Sequence, residues 1–219
     1  MEEYQILASC LPEHPSRLMV CGPSSCGKTT FIKQLLLHPQ AQYEALYICA
    51  HRLDQPIYRE ITNSFTARGL PVTTYNTIPE EPIDFDNSKK NIMVVDDLIA
   101  EAEKSSYMGH LMRDGCHHDN VSLILISHWC CGTADSRRQR LQVDYMVLFR
   151  FCADKKAVHG IGGQIAPGAV YRFMLVYHDA TSVRYRPLII DLSNAHYIDK
   201  RLRFRCGAWN IIYPYAAEL

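Results

Sequence analysis

The chain has 219 residues, 47% of them hydrophobic and 21% charged, which is ordinary for a globular protein and enough for one α/β unit with a sizeable core. Lys+Arg and Asp+Glu both number 23, so the formal net charge is zero; bulk charge does not announce a nucleic-acid partner, and only a local basic patch would supply one. No apolar run reaches the length of a bilayer span, the first residues are acidic rather than basic, and the nine cysteines are scattered with several in apolar runs (Cys21, Cys49, Cys152), which points to a reducing intracellular setting without a disulfide framework.

Residues 17–21 read as a short strand entering a glycine-rich segment: Gly22, Pro23, Ser24, Ser25, Cys26, Gly27, Lys28, Thr29 and Thr30. It satisfies the phosphate-loop pattern G-x-x-x-x-G-K-[ST], and a helix predicted over 29–37 follows, which is the context the pattern requires. In such a loop successive backbone N–H groups turn inward on the phosphate chain, and glycine permits the close approach. The helix N-terminus adds a field that favours anions. Lys28 is the mobile charge for the β- and γ-phosphates, and the Thr29 hydroxyl is the expected Mg²⁺ ligand. The bland alternative, a glycine turn that merely joins strand to helix, is disfavoured by the full pattern in its context.

A strand over 45–49 and a helix over 56–68 come next, stopped by Gly69-Leu70-Pro71. A short strand over 72–75 precedes a loop marked by Pro79 and Pro82. The run "NIMVVDDLIAE" is a buried strand over 91–95 leading into paired carboxylates. Asp96, at the strand end, is placed to hold Mg²⁺ through its waters. Asp97 is placed to polarise an attacking water. An Asp-Asp helix cap after a core strand is the competing reading.

Residues 101–115 read as a helix with Leu111 and Met112 inward, and 121–126 as an all-apolar strand ending in Ser127-His128. His128 is the candidate sensor of the γ-phosphate; a backbone-bonded histidine at a strand end is the alternative. In "DSRRQRLQVDY" the arginines Arg137, Arg138 and Arg140 precede a strand over 145–151. They suit an arginine finger toward a neighbouring subunit's nucleotide, a lid over the chain's own site, or a solvated basic loop. The Cys/His-rich centre (Cys116, His117, His118, His128, Cys130, Cys131) matches no zinc-ligand spacing. After Gly160-Ile161-Gly162-Gly163 the pattern changes, and residues 171–177 and 184–192 read as an antiparallel pair joined by "HDATS". Continuous Val/Ile/Leu strands fit a mostly parallel sheet covered on both faces. The expectation is therefore an α/β P-loop NTPase of RecA-like type, its sheet flanked by helices, with an antiparallel C-terminal strand pair. A single domain over 1–219 is expected, with a core at about 15–195 and a C-terminal extension over 196–219.

In order, the segments "VCGPSSCGKTTFI", "IMVVDDLIAEAE", "GCHHDNVSLILISHWCC" and, after the basic loop, "YMVLFRFCADKKAV" resemble the viral genome-packaging ATPases of the FtsK-HerA superfamily, of the poxvirus-like type found in polintons, adintoviruses and related large DNA viruses. The resemblance spans about residues 15–195. Its more specific parts are His117-His118-Asp119-Asn120 and the strand starting at Tyr145. It implies ATP and Mg²⁺ as cofactors, Lys28 and Thr29 on nucleotide and metal, Asp96 as the metal carboxylate, Asp97 as the catalytic one, and Arg137 as the arginine ahead of the "Y-x-V-L-F" strand. His128 departs from the family's glutamine sensor, and Gln142 from its asparagine. The resemblance further implies a homo-oligomeric ring around double-stranded DNA, sequence-independent phosphate contacts, portal proteins as capsid partners, and assembly inside the host nucleus or cytoplasm. The basic positions are Lys89-Lys90, Lys155-Lys156, and Arg201, Arg203 and Arg205, each a candidate for DNA contact or an ordinary solvated surface. Two other readings remain: a small P-loop nucleotide or nucleoside kinase, and a catalytically weakened nucleotide-binding scaffold. A guanine-nucleotide switch is disfavoured, since no Asn-Lys-x-Asp segment occurs.

Overall fold

The structure, a computed structural model, describes residues 11–128 and 142–193, together with the backbone of two further strands, Arg203–Cys206 and Ile211–Pro214. The arginine loop with Arg137, Arg138 and Arg140 lies outside the described residues, as does the Cys130-Cys131 pair. In chain order the strands are β1 (Arg17–Cys21), β2 (Ala45–Ala50), β3 (Val72–Tyr75), β4 (Asn91–Asp96), β5 (Val121–Ser127), β6 (Tyr145–Leu148), β7 (Leu188–Asp191), β8 (Arg203–Cys206) and β9 (Ile211–Pro214). The helices are α1 (Lys28–Leu36), α2 (Pro56–Ala67), α3 (Ile99–Lys104), α4 (Ser106–His110), α5 (Cys116–His118), α6 (Lys155–Ile165) and α7 (Val170–Ala180), with a π-helical turn at Leu111–Gly115.

Among the described residues these strands form a nine-stranded sheet in the order β3-β2-β4-β5-β1-β6-β7-β8-β9. From β3 to β6 every pairing is parallel; β7, β8 and β9 extend the edge in antiparallel fashion. The apolar runs are continuous because both faces of the central strands are covered. In β1, Leu18 and Val20 face the core under α1 and α2, while Met19 and Cys21 face the other core. In β4, Ile92 and Val94 share the first core, and Met93 and Val95 the second. No helix among the described residues is long and apolar enough to cross a membrane.

The helix expected over 101–115 is broken. Ser105 adopts an extended conformation, and its hydroxyl accepts from the Met108 N–H at 3.2 Å, so it ends α3 and caps α4. Leu111 and Met112 are buried as expected, inside the π-helical turn.

The larger correction concerns residues 171–177, which form the body of α7 and not a strand. The segment is rich in aromatic and β-branched residues, and Tyr171, Phe173, Leu175 and Tyr177 mimic a strand's alternation. Only the helical set Phe173, Tyr177 and Ala180 is buried; Tyr171 and Leu175 are 76% and 52% exposed. The glycines read as a break lie inside α6, which Asp154 caps by accepting from the Ala157 N–H at 3.0 Å. A Cβ at Gly162 would stand 2.5 Å from the Phe173 ring, so this glycine is what lets α6 and α7 approach each other. Tyr177 then anchors α7 to the sheet. Its hydroxyl donates to the Phe149 carbonyl at 3.0 Å and accepts from the Phe151 N–H at 2.7 Å, just past the end of β6. The antiparallel strands of the C-terminal edge are thus β7, β8 and β9.

Candidate nucleotide-binding site

Parallel pairing brings the C-terminal ends of β4, β5 and β1 side by side, and the glycine-rich loop leaves from the end of β1. The Gly22 N–H donates to the Ser127 carbonyl at 3.1 Å, tying the loop to β5. Any side chain at Gly22 would collide, since a Cβ would stand 2.4 Å from Cys26 Sγ and 2.7 Å from Phe149 Cβ. Ser25 and Gly27 have φ of 59° and 105°, the left-handed turns that fold the loop over. Burial pushes the Cys26 thiol up, so it serves as packing rather than as a thiolate.

Helix α1 starts at Lys28 with no side chain capping its N-terminus and no acidic residue in its first turn. Its first N–H groups are therefore left for an anion. Ser24, Ser25, Gly27, Lys28, Thr29, Thr30, Gln34, Gln55, Asp96, Asp97, His128, Arg184 and Tyr185 line a cavity of about 660 Å³ at this point. That is the size range of small-molecule sites.

Lys28 is only 6% exposed. Its ammonium donates to the carbonyls of Gly22 at 2.7 Å and Pro23 at 3.0 Å, and lies 3.0 Å from His128 Nδ1. The other ring nitrogen, Nε2, lies 2.6 Å from Asp97 Oδ2. An ammonium can only donate, so Nδ1 is the acceptor and Nε2–H donates to the carboxylate. Lys28, His128 and Asp97 form one hydrogen-bonded chain across the cavity. Asp97 holds φ of 58°, a conformation uncommon outside glycine but tolerated by Asp and Asn. Backbone of this kind is stored at functional sites where the surroundings impose it.

Asp96 is set differently. The Tyr58 hydroxyl donates to its Oδ2 from α2. Burial holds the Asp96 carboxyl above the usual carboxylate range, against the opposing pull of Tyr58, Lys28 and His128. A half-buried carboxylate and the Thr29 hydroxyl, lining one cavity, are a hard-oxygen donor set that suits Mg²⁺.

The structure therefore brings the predicted loop residues, Asp96, Asp97 and His128 together. His117 and His118 are exposed on α5, at the opposite end of β5 from His128, so the histidines do not form one cluster. Sequence reasoning did not find Tyr58, Gln55, Arg184 or Tyr185. Tyr58 gave no signal, because with Ile61 and Phe65 it reads as one more core position of an amphipathic helix.

This sheet and loop define the fold of a P-loop NTPase. Solved structures of the genome packaging NTPase B204 from Sulfolobus turreted icosahedral virus 2 are similar. The AMP complex superposes with a TM-score of 0.58 at 14% identity, covering 87% of this chain and 96% of that one. For the ATP-gammaS complex the values are 0.53, 12%, 87% and 96%. B204 described as the DNA-packaging ATPase from Sulfolobus Turreted Icosahedral Virus gives 0.57 at 14% identity, over 88% of this chain and 98% of that one. At such identities the likeness is one of fold. No family model and no curated protein matches the chain.

Proposed function

We propose that the chain is an ATPase that uses hydrolysis to translocate double-stranded DNA and so packages a viral or virus-like genome. The observation that carries the reading is the Lys28–His128–Asp97 chain laid across an uncapped helix N-terminus. The fold shared with B204 supports it at the level of architecture.

The residues act as follows in this reading. The glycine-rich loop and the start of α1 bind the phosphate chain through backbone N–H groups. Lys28 exchanges the Gly22 and Pro23 carbonyls and His128 for phosphate oxygens. Thr29 and Asp96, the latter steadied by Tyr58, would hold Mg²⁺, which would neutralise charge on the phosphates. Asp97 orients the attacking water and accepts its proton. His128, freed from Lys28, turns its Nε2–H from Asp97 to the γ-phosphate, which leaves the Asp97 carboxylate open for the water. His128 also directly precedes in sequence the segment 129–141 that contains Arg137. Arg137 completes a neighbouring subunit's site in a ring. Of the basic pairs, Lys155 and Lys156 are exposed at the start of α6, on the sheet edge that carries the cavity, and so are better placed for DNA. Lys89 and Lys90 precede β4 at the opposite edge, where Lys89 is 2.9 Å from Asp86.

The test is the ATP hydrolysis rate with and without duplex DNA at two salt concentrations. Stimulation by DNA that weakens at higher salt is expected, because the contacts are to backbone phosphates. Hydrolysis indifferent to DNA would contradict the motor and redirect attention to a nucleoside or nucleotide acceptor.

A further inference from the structure

The phosphate end of the cavity accounts for the loop, Lys28 and the carboxylates, but not for Arg184 and Tyr185, which close the same cavity from the segment between α7 and β7. Tyr185 is 40% exposed, an aromatic ring left open at the rim of a site whose phosphate end is lined by polar groups. Its backbone has φ of 67°. For a bulky aromatic residue this is a strained conformation that costs energy unless neighbouring contacts impose it.

Those contacts are present. Arg186 clamps the end of α7: its Nε donates to the Ala180 carbonyl at 2.8 Å and its Nη2 to the Asp179 carbonyl at 3.0 Å. Its backbone N–H donates to the Val183 carbonyl at 3.2 Å, closing the turn that presents Tyr185. The ring lies against the glycine-rich loop, since a Cβ at Gly27 would be 3.3 Å from Tyr185 Cδ1. The Arg184 guanidinium sits 4.7 Å from the centroid of that ring. An aromatic ring and a guanidinium, stacked together and fixed at the rim of a phosphate site, are a ready surface for the π-face of a nucleobase.

We infer that Tyr185, backed by Arg184, is the base-binding platform of this site. The inference rests on the proposed nucleotide-hydrolysing function and adds to it the residue that distinguishes a nucleotide from its bare polyphosphate. A ligand anchored by phosphate at Lys28 has the platform in the same cavity, against Gly27.

The experiment is calorimetric titration of the full chain with Mg·ATP and, separately, with Mg·tripolyphosphate, for the parent, Tyr185→Ala and Tyr185→Phe. Base stacking on an aromatic side chain predicts that Tyr185→Ala weakens ATP by roughly tenfold or more. It also predicts that tripolyphosphate affinity stays within about twofold and that Tyr185→Phe binds both ligands like the parent. Equal weakening of ATP and tripolyphosphate by Tyr185→Ala would overturn the platform, because it would show only that Tyr185 props up the loop at Gly27. Unchanged ATP affinity in that variant would overturn it as well. A parent that binds tripolyphosphate but gains nothing from the base would also count against it. Failure of nucleotide binding at this site is distinct: the parent would then bind neither ligand.

Discussion

Replacing Asp97 with asparagine is expected to lower ATP turnover by about 10²–10³-fold while leaving ATP affinity within about threefold. The position tolerates the change structurally. Asparagine adopts the left-handed backbone at φ 58° as readily as aspartate, and its Oδ1 still accepts from His128 Nε2–H. Charge and basicity are lost and the geometry is kept, so a large effect reports chemistry rather than folding. Single-turnover hydrolysis alongside equilibrium ATP binding separates the two. Turnover within about threefold of the parent would remove Asp97 from the chemical step. Asp96, one residue earlier, would then be the remaining carboxylate, yet it is half-buried and already bonded to Tyr58.

Replacing His128 with alanine is expected to cost about 10²–10³-fold in turnover, the effect typical of losing one donor to developing charge. In the structure His128 connects Lys28 to Asp97 at 3.0 and 2.6 Å, so truncation leaves both ends without this partner. Lys28 retains the Gly22 and Pro23 carbonyls, which argues that the loop keeps its shape and that binding changes less than turnover. Glutamine at 128 supplies one donor and one acceptor and should recover turnover to within about tenfold of the parent. A loss in the alanine variant that glutamine does not recover would indicate a role for the ring itself. No loss in the alanine variant would show that His128 only rests in the site.

The phosphate end of the site was legible in the sequence because it is local. Gly22 to Thr30 is one contiguous segment, a loop running into the first turn of α1, and Asp96-Asp97 ends an apolar strand, so neighbouring residues define both. The rest depends on packing between distant segments. Tyr58 meets Asp96 only after α2 docks on the sheet, and no spacing rule marks such a tyrosine. Tyr185 sits in a conformation that sequence reasoning reserves for glycine or asparagine, so nothing in its type flags the turn. The reading of residues 171–177 as a strand failed because Tyr171 and Leu175 complete an alternating pattern although both face outward. The glycines of α6 reinforced that error. One of them, Gly162, is required by the close approach of Phe173 and does not end an element. The antiparallel edge was anticipated in kind: β7 lies inside the strand expected over 184–192, but its antiparallel partners are β6 and β8 rather than residues 171–177.

The central claim is that ATP hydrolysis at this site moves the protein along duplex DNA, and displacement of a triplex-forming strand from a linear duplex tests it most directly. The account predicts ATP-dependent displacement by the parent chain, absent in Asp97→Asn and with a non-hydrolysable ATP analogue. DNA-stimulated hydrolysis with no displacement at any DNA length, under conditions where the chain is assembled on DNA, would contradict it.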